Sequence, residues 1–176
     1  MKEKVLYIYG FKSNPKDSST LKSLKEAFDN YEFISITYNQ IDPDKGLDTL
    51  EKYIRDNNIK YVIGHSLGGF ITLCINEDVK KVVINPCMKP HLELPNIEFI
   101  PAEMLYNYEY LEAWLGSEIS GLENVMGLFG DHDELIDNYE SFKNRYGVAY
   151  RINTDHRPNK EAYTEDIKNK IKEFFS

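Results

Sequence analysis

Six short apolar runs alternate along the chain with stretches whose apolar residues recur every three to four positions. Val5-Leu6-Tyr7-Ile8-Tyr9 is unbroken in its hydrophobicity, as in a strand covered on both faces, and Gly10-Phe11-Lys12-Ser13-Asn14-Pro15 after it has loop chemistry. Leu21, Leu24 and Phe28 mark a helix that Ser18 or Ser19 can cap, and Phe33 to Tyr38 predicts a second strand. Asp42-Pro43 supplies a cap and a first-turn proline for a helix with Leu47, Leu50 and Ile54 on its inner face, ended by Asn57-Asn58. The third strand, Lys60 to His65, leads through Ser66 into a helix carrying Phe70, Leu73 and Cys74. Lys81 to Asn85 is the fourth, closed by Pro86, and Val125 to Gly130 is the fifth. Leu135, Tyr139 and Phe142 mark the helix after the fifth strand's acidic loop, and Val148 to Ile152 makes the sixth strand. Tyr163, Ile167, Ile171 and Phe174 share one face of a final helix.

Strands alternating with helices predict an α/β fold: a mostly parallel sheet of about six strands with helices on both faces and ligands at the carboxyl ends of the strands. Residues 1–176 read as one domain. Only 88–121 resists the pattern: from His91 to Gly121 it is rich in Pro, Tyr and Glu, with a helix expected across Glu103 to Trp114. A helical crossover and a small lid both fit it.

Composition narrows the partners. Lys and Arg total 21 against 29 for Asp and Glu, a formal charge of -8 with no basic block, which disfavours nucleic acid and anionic membrane surfaces. Lys2 and Lys4 precede the first apolar run, but glycine interrupts that run and no cleavage pattern follows, so it reads as a strand rather than a signal peptide. No stretch is long enough to span a bilayer. Cys74 and Cys87 are too few for a disulfide framework and lack metal-site spacing, which points to reduced thiols in a cytoplasmic protein.

The chemistry centres on Gly64-His65-Ser66-Leu67-Gly68. An apolar run, Gly-x-Ser-x-Gly and then an amphipathic segment is how a serine nucleophile is presented on a sharp strand-to-helix turn. Such a serine needs a base, an acid to orient that base, and donors for the oxyanion. In hydrolases built this way the order is serine, acid, histidine, the last two on loops after later strands. Of the four histidines only His156 follows the acidic loop of the fifth strand, so it is the expected base. His65 adjoins Ser66, but successive strand side chains point to opposite faces, so it is expected to pack beside the site as a structural residue. His132 lies too close to the acid to replace His156, and His91 has no supporting context. Among Asp131, Asp133, Glu134 and Asp137, Asp133 is the expected acid and Asp131 the next candidate. Asp137 is expected in the following helix's first turn, where a carboxylate favours the dipole. The backbone amides of Leu67 and Phe11 are the expected oxyanion donors.

Tyr7-Ile8-Tyr9-Gly10-Phe11, Ser13-Asn14-Pro15, Gly64-His65-Ser66-Leu67-Gly68-Gly69, Asn85-Pro86, Gly130-Asp131-His132-Asp133 and His156 together resemble the YqiA/YcfP-like family of small α/β-hydrolase-fold esterases. The likeness spans nearly the whole chain. It implies a carboxylesterase or thioesterase without cofactor, with catalytic roles on Ser66, Asp133 and His156. Tyr9 departs from the histidine that such proteins often carry before Gly-Phe.

The expected function is therefore hydrolysis of a small-molecule acyl ester or thioester by a Ser-His-Asp triad, without metal or cofactor. A non-catalytic binding protein and an acyltransferase on the same framework are the alternatives. Phe11, Tyr38, Met88, Met104, Tyr106, Tyr108 and Trp114 are candidates for an apolar acyl pocket, with Tyr38, Met88 and Trp114 the substrate contacts to look for; residues of this kind are more often plain core. Oligomeric state leaves no trace in the sequence.

Overall fold

All six apolar runs enter one sheet. In the computed structural model, which describes residues 2–118 and 120–176, the strands are β1 (Glu3–Ile8), β2 (Tyr31–Ile34), β3 (Tyr61–His65), β4 (Lys80–Ile84), β5 (Val125–Gly130) and β6 (Ala149–Ile152). Their order is β2-β1-β3-β4-β5-β6 and every pair is parallel, with Val5 opposite Tyr61, Gly64 opposite Val83 and Gly130 opposite Ile152. Val5 to Ile8 is buried throughout, as covering both faces of a sheet requires.

The helices are α1 (Ser19–Ala27), α2 (Pro43–Asn57), α3 (Leu67–Cys74), the short α4 (Pro90–Glu93), α5 (Ala102–Ser117), α6 (Tyr139–Tyr146) and α7 (Glu165–Phe175). Phe28, at the end of α1, packs edge-on against Tyr163, and Tyr31 does the same against Phe175 of α7, so α1 and α7 share one face. On the other face α5 packs against α2 and α3. The Arg145 guanidinium of α6 donates to the carbonyls of Leu115, Gly116 and Glu118 and so joins α6 to the end of α5. Since α1 follows β1 and α3 follows β3, those two connections leave adjacent strands toward opposite faces. The crevice between them is the switch point where ligands bind in open α/β sheets.

Several boundaries differ from the sequence expectation, each for a local reason. Strand β2 ends at Ile34 rather than continuing to Tyr38. Beyond Ile34, side chains take over the carbonyls at the end of β1: Ser35 Oγ donates to Tyr7 O at 2.8 Å and Tyr38 OH to Tyr9 O at 2.7 Å. Leu135 lies outside the helix it was expected to open, because Asp133 Oδ1 accepts from the amides of Leu135 and Ile136 and holds a turn there. Helix α6 therefore starts at Tyr139, and Asp137 precedes it, paired with Arg151 at 3.1 Å rather than sitting in its first turn. In the final segment Thr164 caps α7, so Tyr163 is buried just before the helix, and Phe175 rather than Phe174 completes the inner face. Ser18, not Ser19, caps α1, accepting from Leu21 N at 3.2 Å. Segment 88–121 holds α4, a 3-10 turn at Leu94–Asn96 and α5, which is longer than Glu103 to Trp114.

Candidate active site

Strand β3 runs straight into α3, and Ser66 is the single residue between them. Its φ is 56° and its ψ is -123°, a conformation that costs a non-glycine residue about 1–3 kcal/mol and persists only where the surroundings hold it. Here they do. Ser66 N donates to Ile84 O at 3.0 Å, and Ser66 O accepts from Gly69 N at 2.9 Å and Cys87 N at 3.1 Å. The turn also brings α3 close under β1: a Cβ on Gly68 would lie 2.2 Å from Ile8 O, so only glycine fits.

The rest of the cluster comes from the ends of β5 and β6. His156 Nε2 lies 3.0 Å from Ser66 Oγ, and His156 Nδ1 lies 2.8 Å from Asp133 Oδ2. With Nδ1 donating to the carboxylate, Nε2 is the nitrogen that faces the serine. Side-chain exposure is 6% for His156 and 2% for Asp133. Burial would raise the Asp133 pKa. The hydrogen bond and charge of His156 and the amides of Ile136 and Leu135 outweigh that and hold it below the usual value of 3.8. Asp131 is exposed and does not reach His156; its amide donates to Ile152 O at 2.9 Å, which closes the ladder. His132 is exposed as well, while His91 pairs with Glu112 on α5.

His65 is close to its expected place, buried beside the site and making no bond to Ser66. Its ring is nevertheless in use, because Nε2 donates to the carbonyl of His156 at 2.7 Å. Burial and the neighbouring His156 push its pKa down to about 3, so this imidazole is neutral. Asn85 reaches the same carbonyl and went unrecognised as a site residue in the sequence; its only trace was Asn-Pro at a strand end. Cys74 and Cys87 are buried free thiols whose pKa values burial raises, so neither offers a thiolate nucleophile.

Gly10 faces Ser66 directly. A Cβ there would stand 3.1 Å from Ser66 Cβ, a tight contact, so glycine lets the β1 loop lie close against Ser66 without displacing it. Among the described residues the amides of Phe11 and Leu67 have no protein acceptor. A cleft of about 640 Å³ opens over Ser66 and His156. It is also lined by Asn14 and Asp17 to Thr20 at the start of α1, and by Leu94, Ile97, Glu98, Leu135 and Arg157. Lys12 pairs with Glu98 across it.

The expected substrate contacts lie elsewhere. Tyr38 is buried against Tyr9 and lines a separate apolar cavity of about 510 Å³ behind Phe11, with Phe99 and Met104. Trp114 lines a groove between α2 and α5, since its position on α5 turns it toward Asp44, Asp48 and Glu51. Met88 packs half-buried against the core. None of the three lines the cleft over Ser66. Among the described residues no three His, Cys, Asp or Glu side chains group as metal ligands, and no helix is long and apolar enough to cross a membrane.

A family model described as "Uncharacterised protein family (UPF0227)" matches residues 4–175. The chain belongs to this family. It is the YqiA/YcfP-like family that its loop and turn residues resemble. No curated protein matches the chain in sequence. Among solved structures, Est1E from Butyrivibrio proteoclasticus is similar at TM-score 0.65 and 16% identity, over 98% of this chain and 88% of that one. The capsule O-acetyltransferase of Neisseria meningitidis serogroup A is similar at TM-score 0.65 and 18% identity, over 99% and 88%. A putative YdeN-like hydrolase from Pectobacterium atrosepticum follows at TM-score 0.62 and 14% identity, over 98% and 90%. At these identities the likeness is one of fold, and this UPF0227 member has the α/β-hydrolase fold.

Proposed function

We propose that this protein is a serine esterase or thioesterase that cleaves small acyl substrates through an acyl-enzyme intermediate. The observation that carries the reading is the chain of contacts Ser66 Oγ, His156 Nε2, His156 Nδ1 and Asp133 Oδ2, at 3.0 and 2.8 Å, ending on a serine held at positive φ. Ser66 Oγ attacks the carbonyl carbon while His156 Nε2 takes its proton. Asp133 keeps the proton on Nδ1 and stabilises the imidazolium that forms. The amides of Phe11 and Leu67 receive the oxyanion. As the tetrahedral adduct collapses, His156 returns the proton to the departing alkoxide or thiolate. Water, deprotonated by the same Nε2, then releases the acid and restores Ser66.

The cleft supports accessible acyl groups of modest size. Its walls combine the hydroxyls of Ser13, Ser18 and Ser19 with the apolar Phe11, Leu94 and Ile97. Residues 94–98 border it, anchored by the buried Leu94 and a 3-10 turn and joined to the β1 loop by the exposed Lys12–Glu98 pair, which leaves the cleft without a closed cap. A panel of p-nitrophenyl esters and acyl-coenzyme A thioesters of increasing length tests the function. Turnover by the parent and its loss in a folded Ser66→Ala variant is the expected result. A parent that turns over none of the panel overturns it in favour of a binding protein, and product formed only when an alcohol acceptor is added would favour acyl transfer.

A further inference from the structure

His156 stands in an awkward part of the chain to carry a base. It follows β6, a four-residue edge strand, and lies in a loop with no regular structure before the 3-10 turn at Lys160–Ala162. A loop so placed is loose unless something ties its backbone down, and a catalytic imidazole displaced by 1 Å loses on the order of 100-fold in rate. The bond from His132 N to Thr154 O, at 3.0 Å, holds the loop two residues earlier, and at His156 itself the tie comes from two buried side chains outside the catalytic contact chain. The His156 carbonyl accepts from His65 Nε2 at 2.7 Å and from Asn85 Nδ2 at 3.0 Å, so both of its lone pairs are used.

Asn85 does more than fill this corner. The same Nδ2 donates to Asp155 O at 3.2 Å, and Asn85 Oδ1 accepts from Gly130 N at 2.7 Å. Gly130 is the last residue of β5, three before Asp133. One amide thus joins the end of the acid-bearing strand to the backbone of the base. It is 1% exposed and sits at φ 44°, a strained conformation of the sort found where the surroundings over-determine a residue. His65 makes the third connection, because its own neighbour is the nucleophile. Its neutral ring has one N–H, and a carbonyl acceptor fixes that proton on Nε2.

We propose that His65 and Asn85 form a clamp on the main chain of His156 that sets the imidazole between Ser66 and Asp133. Both are positioning residues, and the proposal rests on the triad reading above. A purely space-filling role would leave the direction of these hydrogen bonds irrelevant. The clamp requires donors at both places.

The test uses His65→Leu, which keeps bulk without a donor; His65→Gln, whose amide can place an N–H near the position of Nε2; and Asn85→Asp, which turns a donor into an acceptor facing two carbonyls. Two readouts are taken on the whole protein: kcat and KM for ester hydrolysis, and the low-field proton resonance of the His156 Nδ1–H held by Asp133. The clamp predicts kcat lower by about 10- to 100-fold in His65→Leu and Asn85→Asp, with KM within about twofold and the resonance shifted or broadened. His65→Gln should recover most of both. Should His65→Leu fail to fold, His65→Asn, too short to reach the carbonyl, replaces it with the same expectation. A folded His65→Leu with parental kcat and an unmoved resonance overturns the clamp, and so does a folded His65→Gln as impaired as His65→Leu. The resonance needs no substrate. A parent that hydrolyses no ester therefore removes the proposed function, while the clamp is still decided by whether the resonance moves.

Discussion

Among the described residues two histidines hold a carboxylate on Nδ1, and they differ in everything around that bond. His156 meets Asp133 at 2.8 Å and His91 meets Glu112 at 2.6 Å. Asp133 is oriented from outside the pair, its second oxygen fixed by the amides of Leu135 and Ile136, and the far nitrogen of its histidine faces a hydroxyl. Glu112 spends its second oxygen on the amide of His91 itself at 3.0 Å. That pair is a pin between α4 and α5, and among the described residues His91 Nε2 makes no hydrogen bond to a hydroxyl or thiol. The carboxylates respond oppositely: Asp133 is held below its ordinary pKa, whereas burial pushes Glu112 above it despite partial compensation from His91. A histidine–carboxylate contact is thus no sign of catalysis by itself. An independently oriented carboxylate and a hydroxyl on the other nitrogen are what separate the two.

Removing each histidine should break this comparison most sharply. Turnover in His156→Ala is expected to fall by about 10⁴-fold or more, while His91→Ala stays within about twofold and loses roughly 1 kcal/mol of stability in urea unfolding. Comparable losses of turnover in both would erase the distinction. The carboxylates come next. Asp133→Asn leaves the amide free to stabilise the wrong tautomer of His156 and should cost about 10³- to 10⁴-fold in kcat. Asp131→Asn and Glu112→Gln should remain near the parent, and a larger loss for Asp131→Asn would move the acid to that residue.

How visible the two pairs are in the sequence follows from what fixes them. His156 and Asp133 lie on loops after the last two strands of a regular alternation, so counting strands and following the order serine, acid, histidine is enough to bring them together. His91 and Glu112 meet through the packing of α4 on α5, in the segment where periodicity was weakest. The exposed faces of α5 explain that weakness: Tyr106 and Tyr110 are 73% and 68% exposed, so apolar residues there do not mark the inner face. The same effect placed Trp114 on a groove away from Ser66. The hydrogen bonds of His65 and Asn85 were hidden for another reason. Both act on a backbone carbonyl some 70 to 90 residues away, and a carbonyl acceptor has no side-chain signature.

A smaller effect appears in the pH dependence of stability. The His65 pKa is about 3 in the folded protein against an ordinary 6.5, so its contribution is present above pH 6.5 and is lost as the pH falls toward 3. Asp133, also depressed, adds to the loss below pH 3.8. The unfolding free energy should therefore drop on acidification from pH 7 to 4, with a slope of at most about 1.4 kcal/mol per pH unit from one histidine. His65→Gln should flatten that range, and an equally steep profile in the variant would assign the acid lability elsewhere. The smallest expected effect belongs to Glu112. Its pKa is raised, so its contribution is present below the ordinary 4.5 and is lost as pH rises through its folded value. Glu112→Gln should make the acid branch slightly steeper, the reverse of His65→Gln.

The central claim is that Ser66 is a nucleophile made reactive by His156 and Asp133. Incubation of the parent with a fluorophosphonate, followed by intact mass and peptide mapping, tests it without knowledge of the substrate. The account predicts a single adduct on Ser66, abolished in Ser66→Ala and slowed by orders of magnitude in His156→Ala. A folded parent that takes up no adduct, or an adduct that persists in Ser66→Ala, would contradict it.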